Sequence, residues 1–218
     1  MPARETSHPE PTDVGPDEGK VATRRRGPYA KTARTRERIV DACETLYAAK
    51  GFRSTTVKEI AELAGISDRG LVHHFPTRED LLLAVLERHE DRSSIAITKT
   101  DPLEALQALL AQERALERSP LLVELRLALS SEATDPGHPA HEHYARNYRE
   151  LREYLTTVFS DLRTRGDLVS PQDDLTLAAS FIAVSDGLHM QRAYDPDALS
   201  PADGLRSQLV QSIPALAL

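Results

Sequence analysis

The stretch TVKEIAELAGISDRGLVHHF, residues 56–75, predicts two short helices joined by a tight turn. Thr56 and Glu59 have the spacing of a capping box, which starts a helix. Gly65 suits the left-handed backbone that ends a helix, and Ser67 is placed to cap the next one. The residues expected to face inward are Ile60, Ala61 and Leu63 on the first helix and Leu71 and Phe75 on the second. Such a pair is typical of a helix-turn-helix, whose second helix enters the major groove of DNA.

Further helices are expected on both sides of this pair. Between Tyr29 and Lys50, apolar residues recur at helical spacing, and Gly51 follows as a C-terminal cap. Cys43 lies on this apolar face, so we expect it to pack rather than to react. Pro76 ends the second short helix, and the residues from Thr77 to Asp80 open a fourth helix with another capping sequence.

The remainder of the chain also reads as helices. Asp101, Ser170 and Ser200 each precede a proline, with an acidic residue two positions after that proline, a pattern that starts helices. An apolar stripe between Tyr144 and Leu162 predicts one long helix. There is no strand-like alternation and no internal repeat. The sequence therefore predicts an all-α protein of about nine helices, with a three-helix, helix-turn-helix DNA-binding head at the N-terminus and a helical body after it.

Charge is unevenly distributed along the chain. The net charge of the 218 residues is −7, yet residues 20–38 carry eight basic side chains against one acidic one. This block adjoins the helix-turn-helix, where a DNA-binding protein needs positive charge. The alternative is a solvated basic tail without a partner. Residues 1–27 are rich in proline and poor in large apolar groups, so we expect a disordered N-terminal arm.

Other classes of protein lack support in the sequence. No apolar run approaches the roughly 18 residues of a membrane span, and the single cysteine cannot form an internal disulfide, which favours the cytoplasm. No glycine-rich phosphate loop and no hydrolase or metalloprotease motif occurs. His138, His141 and His143 lack the spacing of a helical metal site. We therefore expect no enzymatic activity, no cofactor and no metal.

Residues 36–86 resemble the tetracycline-repressor (TetR) family of bacterial regulators. The matching residues are Ile39-Val40-Asp41-Ala42, Leu46-Tyr47, Gly51-Phe52, Thr55-Thr56-Val57, Ile60-Ala61, Ala64-Gly65-Ile66-Ser67, Leu71, His73, Phe75-Pro76-Thr77 and Glu79-Asp80-Leu81-Leu82. The stretch from Phe181 to Leu188 also resembles the last helices of that family. The chain departs from the family at Val72 and His74, where tyrosine is usual, at Arg78, where lysine is usual, and at Asp68.

The resemblance implies a repressor that a small-molecule effector releases from DNA. It implies a DNA-binding domain over residues 28–78 and a ligand-binding and dimerisation domain over residues 79–218. It further implies a homodimer on a palindromic operator in double-stranded DNA, cytoplasmic and associated with the nucleoid when bound. The alternative is a DNA-binding scaffold that recruits a protein partner without a small-molecule effector.

Ten residues are candidate DNA contacts: Thr55, Thr56, Lys58, Ser67, Asp68, Arg69, Gly70, His73, His74 and Arg78. Arg69 is the leading base reader, because its guanidinium can bind guanine O6 and N7 together; a phosphate contact is the alternative. Thr55, Thr56, Lys58 and Arg78 are expected at phosphates, and Gly70 lets the backbone come close. The arm from Arg24 to Arg38 is expected either in the minor groove or as a source of nonspecific attraction.

The body offers candidates for a ligand pocket and a dimer interface. His89, Tyr144, Tyr148, Phe181 and His189 are candidate pocket residues for a small, largely apolar effector, with plain core packing as the alternative. Apolar rows on two sides of residues 175–188 indicate a helix that is wholly buried or shared with a second subunit. The candidate interface residues are Phe181, Val184, Leu188, Leu205 and Leu209.

Overall fold

The computed structural model describes residues 28–93 and 101–217. Within these ranges the chain forms nine α-helices and a final 3-10 helix, with no strand. The helices are α1 (Pro28–Lys50), α2 (Val57–Ala64), α3 (Asp68–His74), α4 (Arg78–Ser93), α5 (Pro102–Leu116), α6 (Pro120–Glu132), α7 (His141–Arg165), α8 (Asp174–Tyr194), α9 (Pro201–Val210) and the 3-10 turn Pro214–Ala217. The all-α class is confirmed. The arm predicted for residues 1–27 lies outside the described residues, and none of the described helices is long and apolar enough to cross a membrane.

The predicted capping residues start most of these helices. The Thr56 side chain accepts a hydrogen bond from the Glu59 backbone at 3.3 Å, and the Glu59 carboxylate accepts one from the Thr56 backbone at 2.9 Å. Gly65 ends α2 with a φ of 66°. The Ser67 hydroxyl accepts from the backbone of Gly70, which caps α3. Asp101 and Ser200 cap α5 and α9 as predicted.

Two expectations about the helices were wrong. α8 begins at Asp174 with Asp173 as its cap, and the predicted Ser170 cap lies in the preceding loop. The reason is Arg163 of α7, which binds the carbonyls of Ser170 and Gln172 at 2.8 and 2.6 Å and so holds this segment outside the helix. Leu63 is 53% exposed rather than inward-facing, because Ile60, Ala61 and Ala64 already form the buried side of α2.

The apolar side chains form two cores. The first joins α1, α2 and α3 to α4, α6 and the start of α7, and the second joins α5, α7, α8, α9 and the 3-10 turn. Cys43 is fully buried in the first core, where burial raises its pKa to about 11, so the packing role is confirmed. The boundary at residues 78 and 79 stays a prediction; α4 shares the core of α1–α3 although it follows that boundary.

Ion pairs hold α4 between the N-terminal helices and the body. On one side, Arg88 of α4 binds Asp41 of α1 at 2.5 Å and Glu44 of α1 at 2.8 Å. On the other side, His143 of α7 lies 3.0 Å from Glu90 and 3.6 Å from Glu87, both on α4. A shift of α4 therefore changes contacts with both parts of the molecule.

Candidate nucleic-acid interface and body cavity

The second helix of the helix-turn-helix, α3, has one buried and one open face. Leu71 and Phe75 are 0% and 2% exposed and anchor it in the first core. Asp68, Arg69, Val72 and His73 are exposed on its other face. The residues that a major groove would meet are therefore separate from those that hold the helix in place.

Two arginines of α1 donate hydrogen bonds to backbone carbonyls at the C-terminal ends of α2 and α3. Arg36 donates a hydrogen bond to the carbonyl of His74 at 2.7 Å, and its guanidinium lies 4.1 Å from the centre of the Phe75 ring. Arg38 donates to the carbonyls of Ala64 and Gly65. These two members of the predicted basic arm therefore bind their own head rather than a minor groove. Residues 24–27 of that arm lie outside the described residues.

Thr55 and Thr56, predicted at phosphate, use their donors inside the protein. Thr55 is buried; its hydroxyl donates to Gly51 at 2.9 Å and its backbone N–H to Phe52. The backbone N–H and the hydroxyl of Thr56 both donate to the Glu59 carboxylate, at 2.9 and 2.8 Å. Because each of these donors already has an acceptor, the two threonines hold the start of α2, and their phosphate contacts stay a prediction.

Four more of the predicted DNA contacts, Arg78, Ser67, Gly70 and His74, occupy structural positions in the head. Arg78 is half-buried and donates to the carbonyl of Phe52, so it holds the turn before α2. Ser67 is occupied as the cap of α3, and a methyl group at Gly70 would lie 3.2 Å from the Ser67 hydroxyl oxygen. Gly70 thus makes room for the cap, and a close approach of its backbone to DNA stays a prediction. His74 is half-buried, and burial, with His73 and Arg36 nearby, lowers its pKa.

Lys58, Asp68, Arg69 and His73 remain available to DNA. The Lys58 ammonium lies 4.0 Å from Glu62, and both side chains are largely exposed, so this pair is weak and leaves Lys58 able to turn to a phosphate. Val72, which sequence reasoning noted only as a departure from tyrosine, is 49% exposed beside Arg69. Its methyl groups are suited to the C5-methyl of thymine.

The body contains a cavity of about 430 Å³ between α4, α5, α6, α7 and α8. Its wall combines leucines with polar residues: Leu86, His89, Glu90, Leu109, Gln112, Glu113, Ala115, Leu116, Ser119, Leu122, Arg126, Asn147, Glu150, Leu151, Tyr154, Phe181, Ile182, Ser185 and Asp186. The predicted residues His89 and Phe181 line it. A volume of this size is typical of small-molecule sites.

The other three predicted pocket residues lie outside this wall. Tyr144 is buried and donates to the carbonyl of Arg126 at 3.0 Å. Tyr148 donates to Asp186 at 2.8 Å, and His189 Nε2 lies 2.8 Å from Glu113. Each of these three side chains makes a polar contact with a residue of the wall, so it holds the wall in place without lining the cavity.

The sequence analysis did not identify the carboxylates of the wall or Arg126 as candidate pocket residues. Burial opposes ionisation of Glu113, yet His189, Arg126 and Ser185 together hold its pKa below the usual value. Arg126 lies 3.2 Å from Asp186, and its pKa is raised by Asp186 and Glu113 against the effect of burial. A signal was present for Arg126, which lies between Leu125 and Leu127 in the apolar part of α6, but not for Glu113, which lies between Gln112 and Arg114. No group of three or more potential metal ligands occurs within residues 28–93 and 101–217.

Three of the predicted interface residues, Phe181, Leu205 and Leu209, are buried within their own subunit, which corrects their assignment; for Val184 and Leu188, which are half-buried, the assignment stays a prediction. Phe181, Leu205 and Leu209 are 3%, 0% and 6% exposed in the second core, and Val184 packs against that core. A methyl group at Gly204 of α9 would lie 2.5 Å from Leu188 Cδ1, so Leu188 also points at α9. The row of α8 that reaches solvent is a different one: Thr176, Ala179, Ala183, Met190 and Tyr194.

Comparisons with known proteins agree with this architecture. The model of tetR-family bacterial regulatory proteins matches residues 39–85, and that of the BetI-type transcriptional repressor C-terminal region matches residues 102–214. The chain is 26% identical over 174 residues to the HTH-type transcriptional regulator TtgR of Pseudomonas putida, and the match covers 76% of this chain and 83% of that protein.

Two solved structures share the fold. A transcriptional regulator from Saccharomonospora viridis in complex with choline has a TM-score of 0.65 at 24% identity, covering 82% of this chain and 96% of that one. FadR of Thermus thermophilus in complex with lauroyl-CoA has a TM-score of 0.52 at 23% identity, covering 80% and 91%. The chain therefore belongs to the TetR family of bacterial regulatory proteins and is a DNA-binding transcriptional regulator with a BetI-type C-terminal region.

Proposed function

We propose that this regulator is a cytoplasmic repressor that a small molecule, bound in the body cavity, releases from a palindromic operator. The observation that carries the proposal is the position of His89. This residue of α4 lines the cavity, and its Nε2 lies 3.0 Å from Glu44 of α1. A ligand that moves His89 therefore acts directly on a helix of the DNA-binding head.

In a dimer, a small movement of α4 is enough to change DNA binding. In the proposed homodimer, the two α3 helices reach successive major grooves about 34 Å apart. A tilt of each α4 changes that spacing, so DNA binds one arrangement of the heads and the effector the other. The effector and the operator must then weaken each other's binding by the same factor.

The alternative is a DNA-binding scaffold that recruits a protein and senses no small molecule. The cavity favours the effector, since a scaffold has no need of a 430 Å³ space beside the helix that carries the head. The two solved structures that share this fold each hold a small molecule, but choline is a cation and lauroyl-CoA an anion. The class of ligand must therefore come from the wall of this cavity.

The test of DNA recognition is a selection from random duplexes followed by titrations with two variants. Arg69→Ala is expected to lower affinity by about 1–3 kcal/mol and to flatten preference at one base pair in each half-site. Lys58→Ala is expected to weaken all sequences alike and to reduce the salt dependence by about one counterion. Failure to enrich any sequence would refute the proposed function, and equal effects of the two variants on every sequence would refute the roles given to Arg69 and Lys58.

A further inference from the structure

We propose that the effector is an organic cation with an apolar body, and that its charged group binds between Glu90 of α4 and Glu150 of α7. This inference rests on the proposed function and names the ligand class of the same cavity. Its basis is the different chemistry of the two sides of the cavity, each of which adjoins a smaller pocket.

On one side of the cavity, the charged side chains are already paired with other residues of the protein. Arg126 and Asp186 form the part of the wall shared with a small pocket of about 80 Å³. Arg126 lies 3.2 Å from Asp186, whose other oxygen accepts from Tyr148 at 2.8 Å. Glu113 accepts from Ser185 at 3.0 Å and lies 2.8 Å from His189. Arg126 is the single arginine or lysine among the described residues of the wall, and it is engaged, so an anionic ligand finds no available cation there.

The other side carries carboxylates in excess. Glu90, Asn147 and Glu150 belong both to the cavity and to an adjoining polar cleft that also contains Glu87, His143 and Arg146. Glu150 is exposed and makes no ion pair within the described parts of the chain. In the same parts, Glu90 is paired with His143 alone, at 3.0 Å. Of the described residues that line this cleft, Arg146 is the one permanent cation and faces three glutamates, so a ligand that enters from this side meets net negative charge.

The rest of the wall is suited to an apolar body. Leucines 86, 109, 116, 122 and 151 line it together with Phe181 and Ile182. The Tyr154 hydroxyl adds a polar group that has no hydrogen-bond partner among the described residues. A neutral apolar ligand would displace water from Glu90 and Glu150 without replacing its hydrogen bonds, which costs free energy, whereas a cation compensates both carboxylates. The predicted effector, a largely apolar molecule, is thereby refined to an amphipathic cation.

The test uses isothermal titration calorimetry of the full chain with three probes of equal chain length: octyltrimethylammonium, 1-octanol and octanoate. We expect the ammonium ion to bind at least tenfold more tightly than either of the others. Glu90→Gln and Glu150→Gln should each weaken its binding about three- to tenfold, the range of a partly exposed ion pair. The matched control is Glu153→Gln, an exposed glutamate on α7 that does not line the cavity, and it should leave the affinity unchanged.

The inference is overturned if octanol or octanoate binds as tightly as the ammonium ion, if no probe binds, or if both glutamine variants retain full affinity. DNA binding by the same preparation separates this failure from failure of the proposed function. A protein that selects an operator but is released from it by a neutral or anionic compound keeps the proposed function and refutes the cationic class. Absence of sequence-selective DNA binding refutes the proposed function instead, while the titrations still decide the ligand class.

Discussion

Arg36 is a single side chain of α1 that holds the position of α3, the second helix of the helix-turn-helix. Its guanidinium binds the carbonyl of His74 at the end of α3 and stacks on Phe75. A cation at this end of a helix interacts favourably with the unpaired carbonyls. We therefore expect Arg36 to act on DNA recognition through α3 rather than through a DNA contact of its own.

Arg36→Ala should lower the free energy of unfolding by about 1 kcal/mol, because one hydrogen bond and one cation–π contact are lost. Operator affinity should also fall, with no change in base preference, since Arg69 and Val72 are still present. Chemical unfolding and DNA titration measure the two effects. The control is Arg34→Ala, which removes an exposed arginine two residues earlier and should not affect unfolding. A changed preference at one base pair would show instead that Arg36 reads DNA directly.

At the scale of elements, α4 is the helix through which the body acts on the head. Arg88 and His89 hold it to α1, and His143 of α7 holds it to the body between Glu87 and Glu90. The Glu90 carboxylate, with Glu87, raises the pKa of His143 although burial opposes the charged form. The contact between α4 and α7 is therefore strongest when His143 is protonated.

This raised pKa predicts the direction of a pH effect. Since the folded protein binds the proton more tightly than the unfolded chain, the stabilisation by His143 is complete below the unfolded pKa of about 6.5. It is lost as pH rises through the higher folded value. Between about pH 6 and about pH 8, the free energy of unfolding of the native protein should therefore fall more than that of His143→Gln. Parallel curves for the two proteins would contradict the prediction; the other histidines cancel in the comparison.

At the scale of the whole molecule, α8 presents an open row to solvent. Thr176, Ala179 and Ala183 are small, while Met190 and Tyr194 are 42% and 85% exposed. A methyl group added at Gly187, between them, would meet nothing within 4 Å. We assign this row to the proposed dimer, because small side chains let a second helix approach closely and exposed apolar ones gain from burial.

Ala183→Arg should convert the dimer to monomers, since it places an unpaired charge in the centre of this row. Stability of the subunit should change little, because Ala183 is exposed. Phe181→Ala, two residues earlier but buried, should instead lower the free energy of unfolding by about 3–5 kcal/mol. Sedimentation velocity and chemical unfolding distinguish the two. A native protein that is monomeric at micromolar concentration, or a variant that stays dimeric, would refute this interface.

The sequence by itself determined the helices and the helix-turn-helix. Caps such as Thr56 with Glu59, and terminators such as Gly65, act within a few residues, so their effect is readable from spacing alone. Leu71 and Phe75 followed from periodicity for the same reason. Ser170 shows the limit of cap patterns, because Arg163, which belongs to the preceding helix α7, binds the carbonyls of Ser170 and Gln172, and α8 begins only at Asp174.

Only the tertiary structure decided which polar groups remain available for function. Arg78 has the chemistry of a phosphate contact, but long-range packing brings the carbonyl of Phe52 within its reach. Likewise, Glu90 and Glu150 belong to different helices, and their common cavity exists only once α4 and α7 pack together. Hydrogen bonds and ion pairs go to whichever partner folding brings closest, and that choice depends on the whole chain.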